Sequence, residues 1–307
     1  MSAPAVPASA VAASPAVAPP APRLALVVGS GSVKCAAAVG LWRVLAREGI
    51  EPDLLVGCSG GAVFAAGLAL GYSPDEVEAL AVRLFTREAT SRPDRRALWR
   101  AAFPRLLGFQ ERWGLRDDRP LLAALRAGLG DRTFADARRR LLVTATDFRT
   151  GEQVVVGDGP LVDAVRASVA IPFAFPPWPL GGRLLVDGFL SDPLPVGVAV
   201  REGADVIVAM GFESSYQREV RSPGRFAFQV SSIMTNNLLR SAFAFHGLAH
   251  HGEVIPVIPQ FAERVGLFDT KRIPYVIAEG ERAAEEQLPY LRRLLAAKAA
   301  AGTPAAP

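Results

Sequence analysis

Residues 53–70, which read DLLVGCSGGAVFAAGLAL, decide the fold of this chain. An apolar run there predicts a buried strand, and the alanine-rich run after Gly61 predicts a helix. Between them, residues 57–61 match the G-x-S-x-G nucleophile elbow, which holds a serine at the apex of a sharp strand-to-helix turn. Gly57 and Gly61 would let strand and helix approach closely, and helix N–H groups could stabilise an oxyanion beside Ser59. The alternative, a glycine-rich turn with an idle serine, explains this placement less well.

Composition narrows the classes of protein to which the chain can belong. Its 307 residues are 50% apolar with a net charge of +4, enough for a large core but without the basic patches of a nucleic-acid-binding protein. No apolar run approaches the ~20 residues of a membrane span, and no secretory signal is recognised. Cys35 and Cys58 have neither disulfide nor metal-site spacing. These features predict a cytoplasmic protein, with peripheral membrane association left open.

The chain divides into one domain and two tails. Residues 1–22 consist almost entirely of Ala, Pro, Val and Ser, with prolines that block a helix, and residues 299–307 have a similar composition. Both segments are expected to be disordered. Residues 23–298 alternate short apolar strands with helices and contain no internal repeat. That alternation predicts a three-layer α/β/α domain around a mostly parallel sheet.

Ser59 needs a base, and the sequence offers two kinds. His246, His250 and His251 follow it, so a Ser-Asp-His triad is one possibility. However, only two predicted strands precede the elbow, and the histidines fall in a continuous helix-like stretch rather than on a loop after a strand. Asp187 is the better candidate, because it ends the apolar strand before Gly188 and would stand at the sheet edge where α/β proteins bind ligands.

Several ordered motifs resemble the patatin-like phospholipase family. The elbow at 57–61 is similar to that family's nucleophile motif, and residues 186–188, VDG, are similar to its D-G-[GA] motif. The segments 145–151, 166–177 and 192–196 also fit, so the resemblance covers about residues 24–213. It implies a Ser59–Asp187 dyad without histidine on a three-layer fold, with Gly57, Gly61 and Gly188 shaping the two turns.

The resemblance also implies the activity. Ser59 would attack a carboxylic ester of a lipid or another apolar acyl compound, Asp187 would accept its proton, and no metal or organic cofactor would be needed. Two alternatives stay open: a weakly active or non-catalytic acyl-binding protein of the same fold, and an acyltransferase that uses the same dyad. Phospholipid as the substrate is an expectation from the family.

The glycine-rich first loop departs from the family pattern G-G-G-x-[RK]-G. Residues 29–35 read GSGSVKC, so Ser30, Ser32 and Cys35 stand where the family has glycine. Every residue except proline keeps its N–H, and the oxyanion donors are expected at Gly31, Ser32 and Gly60. A positive φ is costly for a residue with a Cβ. Either these positions do not need a positive φ, or the oxyanion hole is distorted and turnover is slow.

The other residues of this loop are expected to position it. They are Gly29, Ser30, Lys34 and Cys35. Lys34 matches the family's basic residue and would also lend positive charge near the oxyanion; the alternative is a solvated surface lysine.

Residues 97–113 are rich in aromatic side chains and arginine. They suggest an amphipathic cap that makes transient contact with a membrane surface. Pro104 interrupts any long helix, and a helix packed on the core is the alternative.

Overall fold

The computed structural model describes residues 22–90, 92–108, 110–214, 216, 219–248 and 253–301. Eight strands in these residues form one sheet. The strands are β1 Leu24–Val28, β2 Leu54–Cys58, β3 Arg140–Asp147, β4 Gln153–Val156, β5 Trp178–Leu180, β6 Arg183–Asp187, β7 Val206–Met210 and β8 Glu253–Val257. The α-helices are α1 Ala37–Arg47, α2 Gly60–Ala69, α3 Pro74–Leu84, α4 Arg87–Thr90, α5 Arg95–Ala102, α6 Pro104–Leu107, α7 Arg119–Leu129, α8 Leu161–Ser168, α9 Val196–Arg201, α10 Pro223–Leu248 and α11 Ile273–Ala301.

The sheet is mixed, with a parallel centre. Strands β3, β2, β1, β7 and β8 lie side by side and run parallel, whereas β4 and β6 pair with β3 in the antiparallel sense and β5 follows β6. Helices cover both faces, so the predicted three-layer α/β/α architecture is confirmed. Strands β3 and β4 form a hairpin, and Ser73 caps α3 through a capping box.

Strand β1 shows how one strand supports both helical layers. Successive side chains of a strand point to opposite faces, and all five residues of β1 are buried. Leu24, Leu26 and Val28 belong to the larger core cluster, which includes residues of α1, α2 and α11. Ala25 and Val27 belong to a second cluster on the other face, with residues of α9 and α10. The strand is therefore apolar throughout because it has no solvent face.

The pairing of β3 brings the ends of β2 and β6 together. Strand β2 pairs with the first residues of β3 as far as Thr144, and β6 pairs with β3 from Ala145 onward. Strand β4 pairs with residues of β3 from both of these stretches. Strands β2 and β6 therefore lie on the side of β3 that is away from β4. Because β6 runs antiparallel, its last residue Asp187 abuts the end of β2. Asp187 therefore lies at the predicted edge of the sheet, although its own strand is antiparallel to β3.

The chain ends of the domain differ slightly from the prediction. Helix α11 continues to Ala301, so the first three residues of the predicted tail 299–307 are helical. The remainder of that tail and residues 1–21 lie outside the described residues. Within the described part of the chain, none of the helices has the length and apolar character needed to cross a bilayer.

Candidate active site

Ser59 stands at the apex of the turn between β2 and α2. Its φ of 55° and ψ of −125° are unusual for a residue with a Cβ and are typical of a nucleophile elbow. The Ser59 N–H donates to Ser168 Oγ at 2.8 Å, and Ser168 Oγ donates to the Thr144 carbonyl at 2.7 Å. Ser168 therefore ties the strained apex to β3. The sequence placed Ser168 in a recognised motif but assigned it no role.

The two turn glycines beside Ser59 are required by close approach. A Cβ at Gly57 would lie 2.5 Å from Ala62 Cα, and one at Gly61 would lie 2.2 Å from the Val28 carbonyl oxygen. Gly188, after Asp187, has the same constraint, since a Cβ there would lie 2.6 Å from the Thr144 carbonyl oxygen. The predicted need for glycine at these positions thus has a steric basis in the packing of strand, elbow and helix.

Ser59 and Asp187 are in direct contact. Ser59 Oγ donates to Asp187 Oδ2 at 2.7 Å, and the Phe189 N–H donates to Asp187 Oδ1 at 3.1 Å. Asp187 is fully buried, and loss of hydration raises its pKa from 3.8 to about 7, although both hydrogen bonds oppose the rise. A carboxylate with this pKa can accept a proton near neutral pH.

A second buried hydroxyl holds the Asp187 turn. Thr146 Oγ1 donates to the Asp187 carbonyl at 3.0 Å and lies 2.8 Å from Ser191 Oγ. Thr146 belongs to β3, so β3 supports both reacting side chains through short polar contacts. The sequence pattern included Thr146 in the Ala145-Thr146-Asp147 motif without indicating this contact.

The predicted oxyanion donors lie beside the elbow. Ser32 and Gly60 line one cleft with Ser59, and a Cβ at Gly60 would lie 2.8 Å from the Ser32 backbone N. Within the described part of the chain, the N–H groups of Gly31, Ser32 and Gly60 donate to no hydrogen-bond acceptor. Free N–H groups next to a serine hydroxyl are the arrangement that an oxyanion requires.

The departures in the first loop have different consequences. Of the three residues that replace family glycines, only Ser32 has a positive φ, 52°, whereas Ser30 and Cys35 do not need one. The Ser32 hydroxyl donates to the Leu267 carbonyl, which offers a partial compensation for the backbone strain. Gly31 has an extended φ of 179° and is glycine because a Cβ would lie 2.7 Å from the Phe212 ring.

The expected loop-positioning residues hold the loop through hydrogen bonds to backbone carbonyls. Lys34 is buried, its Nζ donates to the Glu213 carbonyl at 2.7 Å, and burial lowers its pKa. The alternative of a solvated surface lysine is therefore wrong. Ser30 N donates to the Pro193 carbonyl, Gly29 N donates to the Met210 carbonyl, and the Cys35 thiol donates to the Gly29 carbonyl.

An apolar cleft begins at Ser59. Its walls are almost entirely hydrocarbon, and the lining side chains come from α2, α3, α7 and the segment after α8. They include Val63, Leu84, Phe85, Leu121, Leu125, Val169, Ile171, Phe175 and Phe268. The composition of this cleft favours an apolar group over a charged group or a sugar, and its free volume of about 30 Å³ has room for only a small part of an acyl chain.

The remaining candidate groups are three histidines, whose side chains the structure does not describe, and two cysteines that lie close to the dyad. His246 belongs to α10, as expected for a helix, but nothing is described of its side chain, and His250 and His251 lie outside the described residues. Cys35 and Cys58 are buried free thiols whose pKa is raised well above the ordinary value by loss of hydration. The described residues contain no cluster of three or more His, Cys, Asp or Glu suited to a metal ion.

The segment 97–113 does not pack as a core helix. In α5 only Ala97 is buried, and Leu98, Trp99 and Phe103 are exposed. The core-helix alternative is therefore wrong for α5.

Comparisons with known proteins agree with the motifs. The model of the family described as patatin-like phospholipase matches residues 26–200. An uncharacterized NTE family protein of Mycobacterium tuberculosis is 30% identical over 223 residues, which are 73% of this chain and 57% of the relative. The uncharacterized protein YqhO of Bacillus subtilis is 24% identical over 258 residues, 76% of this chain and 86% of YqhO.

A solved structure, VipD from Legionella pneumophila, is 14% identical with a TM-score of 0.47, and covers 91% of this chain and 67% of VipD. The chain spans 57% of the length of the mycobacterial relative. The family model alone covers more than half of the chain, and its range includes both Ser59 and Asp187. The chain therefore belongs to the patatin-like phospholipase family.

Proposed function

We propose that this protein is a serine hydrolase that cleaves carboxylic esters of lipids, of the phospholipase, lysophospholipase or esterase type, with Ser59 as nucleophile and Asp187 as base. The observation that carries the proposal is the 2.7 Å hydrogen bond from Ser59 Oγ to Asp187 Oδ2 at the edge of an apolar cleft. Membership of the patatin-like phospholipase family supports lipid esters as the class of substrate.

Acylation would begin with attack by Ser59 Oγ on the ester carbonyl carbon. As the new C–O bond forms, Asp187 accepts the hydroxyl proton and becomes a neutral carboxylic acid. The carbonyl oxygen becomes an oxyanion, which the N–H groups of Gly31, Ser32 and Gly60 stabilise. Collapse of the tetrahedral intermediate breaks the bond to the alcohol, which leaves with the proton that Asp187 returns.

Deacylation repeats these steps with water. Asp187 accepts a proton from the water molecule as its oxygen attacks the acyl-Ser59 carbonyl, and the same N–H groups bind the second oxyanion. The proton then passes to Ser59 Oγ as the acid is released. Because the buried pair exchanges one proton between a hydroxyl and a carboxyl, no charged histidine is created in the apolar site.

The apolar cleft would bind the carbons of the acyl chain next to the ester. It begins at Ser59 and continues between the side chains of Val63, Leu121 and Phe175. Burying a methylene group is worth about 0.8 kcal/mol, so longer chains should bind more tightly until the cleft is full. Esters of graded chain length would then differ mainly in KM.

Ester hydrolysis by purified protein tests the proposal. Ser59→Ala should abolish hydrolysis, and Asp187→Asn should lower kcat by about 10²–10⁴-fold, the usual contribution of a positioned base. Ser241→Ala, on the exposed side of α10, is the matched control and should retain full activity.

A fluorophosphonate probe separates the remaining alternatives. Rapid labelling that Ser59→Ala removes supports the serine hydrolase, whereas a folded, unlabelled chain that binds fatty acid would be an acyl-binding protein. Product analysis decides the other alternative: release of free acid supports hydrolysis, and acyl transfer to an added alcohol in preference to water would make the protein an acyltransferase.

A further inference from the structure

Four apolar side chains of the cap helices α5 and α6 and of Phe103 between them are exposed. Leu98, Trp99, Phe103 and Leu106, the cap patch, are 45%, 62%, 48% and 82% exposed. The Trp99 and Phe103 rings stack on each other with centroids 5.7 Å apart, so they form one continuous surface. Adjacent exposed aromatic and aliphatic side chains on short helices are a common feature of interaction surfaces.

The cap patch is surrounded by positive charge. Residues 92–108 contain five arginines and a single carboxylate, Asp94. Asp94 accepts hydrogen bonds from the Arg96 and Ala97 N–H groups at the start of α5. Within the described residues, the exposed Arg95, Arg96 and Arg105 form no ion pair, so their charges face solvent.

The cap patch is fastened to the wall of the acyl cleft. Trp113 Nε1 donates to the Ala97 carbonyl at 3.0 Å, which holds α5 against the segment that follows. In that segment the Leu115 N–H donates to the Phe173 carbonyl at 2.9 Å, two residues before the cleft residue Phe175. These hydrogen bonds connect the cap patch to the segment that lines the cleft.

We propose that the cap patch docks the protein on the surface of a bilayer containing anionic phospholipid. Trp99 and Phe103 would enter the interface between headgroups and acyl chains, and Arg95 and Arg105 would contact headgroup phosphates. This proposal rests on the proposed function in one respect: the substrate ester would come from this bilayer.

A bilayer fits the cap patch better than a second copy of the chain does. In a two-fold symmetric dimer the same patch faces itself, so Arg95, Arg96 and Arg105 of one copy would approach those of the other. Facing like charges oppose such an association, whereas an anionic bilayer complements them.

Vesicle sedimentation tests the docking without turnover. The full chain carrying Ser59→Ala is mixed with vesicles of phosphatidylcholine alone or with added phosphatidylglycerol. We expect stronger binding to the anionic vesicles, weakened by salt because screening shortens the reach of the arginines. Adding Trp99→Ser with Phe103→Ser should lower partitioning about tenfold or more. Arg95→Gln with Arg105→Gln should remove the preference for anionic vesicles.

A matched variant and a fold check complete the experiment. Tyr290→Ser removes another exposed aromatic ring, which lies on α11. The Tyr290 hydroxyl donates to Glu253, at the amino-terminal end of β8. This variant should bind vesicles as the parent does. Circular dichroism and thermal unfolding establish that each variant is folded. Equal vesicle binding by the parent and a folded Trp99→Ser, Phe103→Ser variant would overturn the proposal. So would a dimer, measured by light scattering, that this variant dissociates.

Failure of the docking and failure of the proposed function are distinguishable. Sedimentation requires no catalysis, and hydrolysis of a soluble short-chain ester requires no vesicle. If the cap-patch variant binds vesicles less than the parent does but the parent hydrolyses no ester, only the proposed hydrolase activity is rejected. If the parent is active and the cap-patch variant binds vesicles as the parent does, only the docking surface is rejected.

Discussion

Asp187 is fully buried, and the ionised form that accepts a proton from Ser59 is the form that burial disfavours. Its two hydrogen bonds, from the Ser59 hydroxyl and the Phe189 N–H, stabilise the carboxylate but do not cancel the loss of hydration. The proposed chemistry needs the ionised form of Asp187, and its pKa of about 7 shows that this form destabilises the folded state.

Asp187→Asn should stabilise the protein at alkaline pH. The pKa of Asp187 is about 7 when folded and near 3.8 when unfolded, so the folded chain binds more protons between these values and loses stability as pH rises through them. Above pH 7 the variant lacks this buried charge, and its free energy of unfolding should exceed that of the parent by an amount on the order of 4 kcal/mol. Urea unfolding at pH 8 and at pH 4.5 measures the gap, which should narrow at the lower pH.

An exposed carboxylate is the matched control for this change. Asp158 lies on the surface, and Asp158→Asn should leave the free energy of unfolding close to that of the parent. A gap between Asp187→Asn and parent that is the same at both pH values would show that Asp187 is not a buried group with a raised pKa.

Ser32 offers a second test on the scale of one residue. Its positive φ costs about 1 kcal/mol for a residue with a Cβ, and its hydroxyl contacts the Leu267 carbonyl. Ser32→Ala loses the hydrogen bond and keeps the strain, whereas Ser32→Gly loses the bond and relieves the strain. We expect the glycine variant to be more stable than the alanine variant by about 1 kcal/mol in urea unfolding. The opposite order would mean that the loop does not hold Ser32 in this conformation.

Two long elements pack unusually closely, and that contact could not be read from the sequence. Helices α1 and α11 cross where each has a glycine: a Cβ at Gly40 would lie 2.1 Å from the Ile277 carbonyl oxygen, and one at Gly280 would lie 2.1 Å from the Ala37 carbonyl oxygen. Each obstacle is backbone, which cannot rotate away as a side chain can. Reciprocal glycines 240 residues apart acquire meaning only when the two helices meet.

Gly280→Ala should therefore destabilise the protein. Alanine in a helix interior is normally favoured over glycine by about 0.5–1 kcal/mol, but the methyl group here would force the two helices apart, which typically costs about 1–3 kcal/mol. Thermal unfolding measures the result. Gly67→Ala in α2 is the control, because its Cβ would meet a Val77 methyl group at 3.1 Å, which can shift slightly. A Gly280→Ala variant as stable as the parent would contradict the close packing of α1 and α11.

Across the whole molecule, the sequence predicted the layers better than the connections between them. The elbow and the apolar strands indicated a three-layer fold, because strand, turn and helix signals are local. The antiparallel direction of β6 and the shared edge of β3 depend on pairing between distant segments, which local signals do not contain.

The same division applies to the candidate site. Ser59 and Asp187 were predicted from motifs, whereas Ser168 and Thr146 support them through contacts across β3 that no spacing indicates. The exposure of Trp99 and Phe103 likewise depends on how the cap helices sit on the domain, since an amphipathic stretch of this kind is compatible with burial or with exposure.

The pH dependence of acylation at Ser59 tests the central claim most directly. Labelling of the intact protein by a fluorophosphonate is followed by mass spectrometry between pH 5 and pH 9. The rate should rise with pH through about 7 and level off above it, because ionised Asp187 is the base, and Asp187→Asn should slow the plateau rate and abolish this rise. A rate in Asp187→Asn that matches the parent, with the same rise near pH 7, would contradict the Ser59–Asp187 dyad.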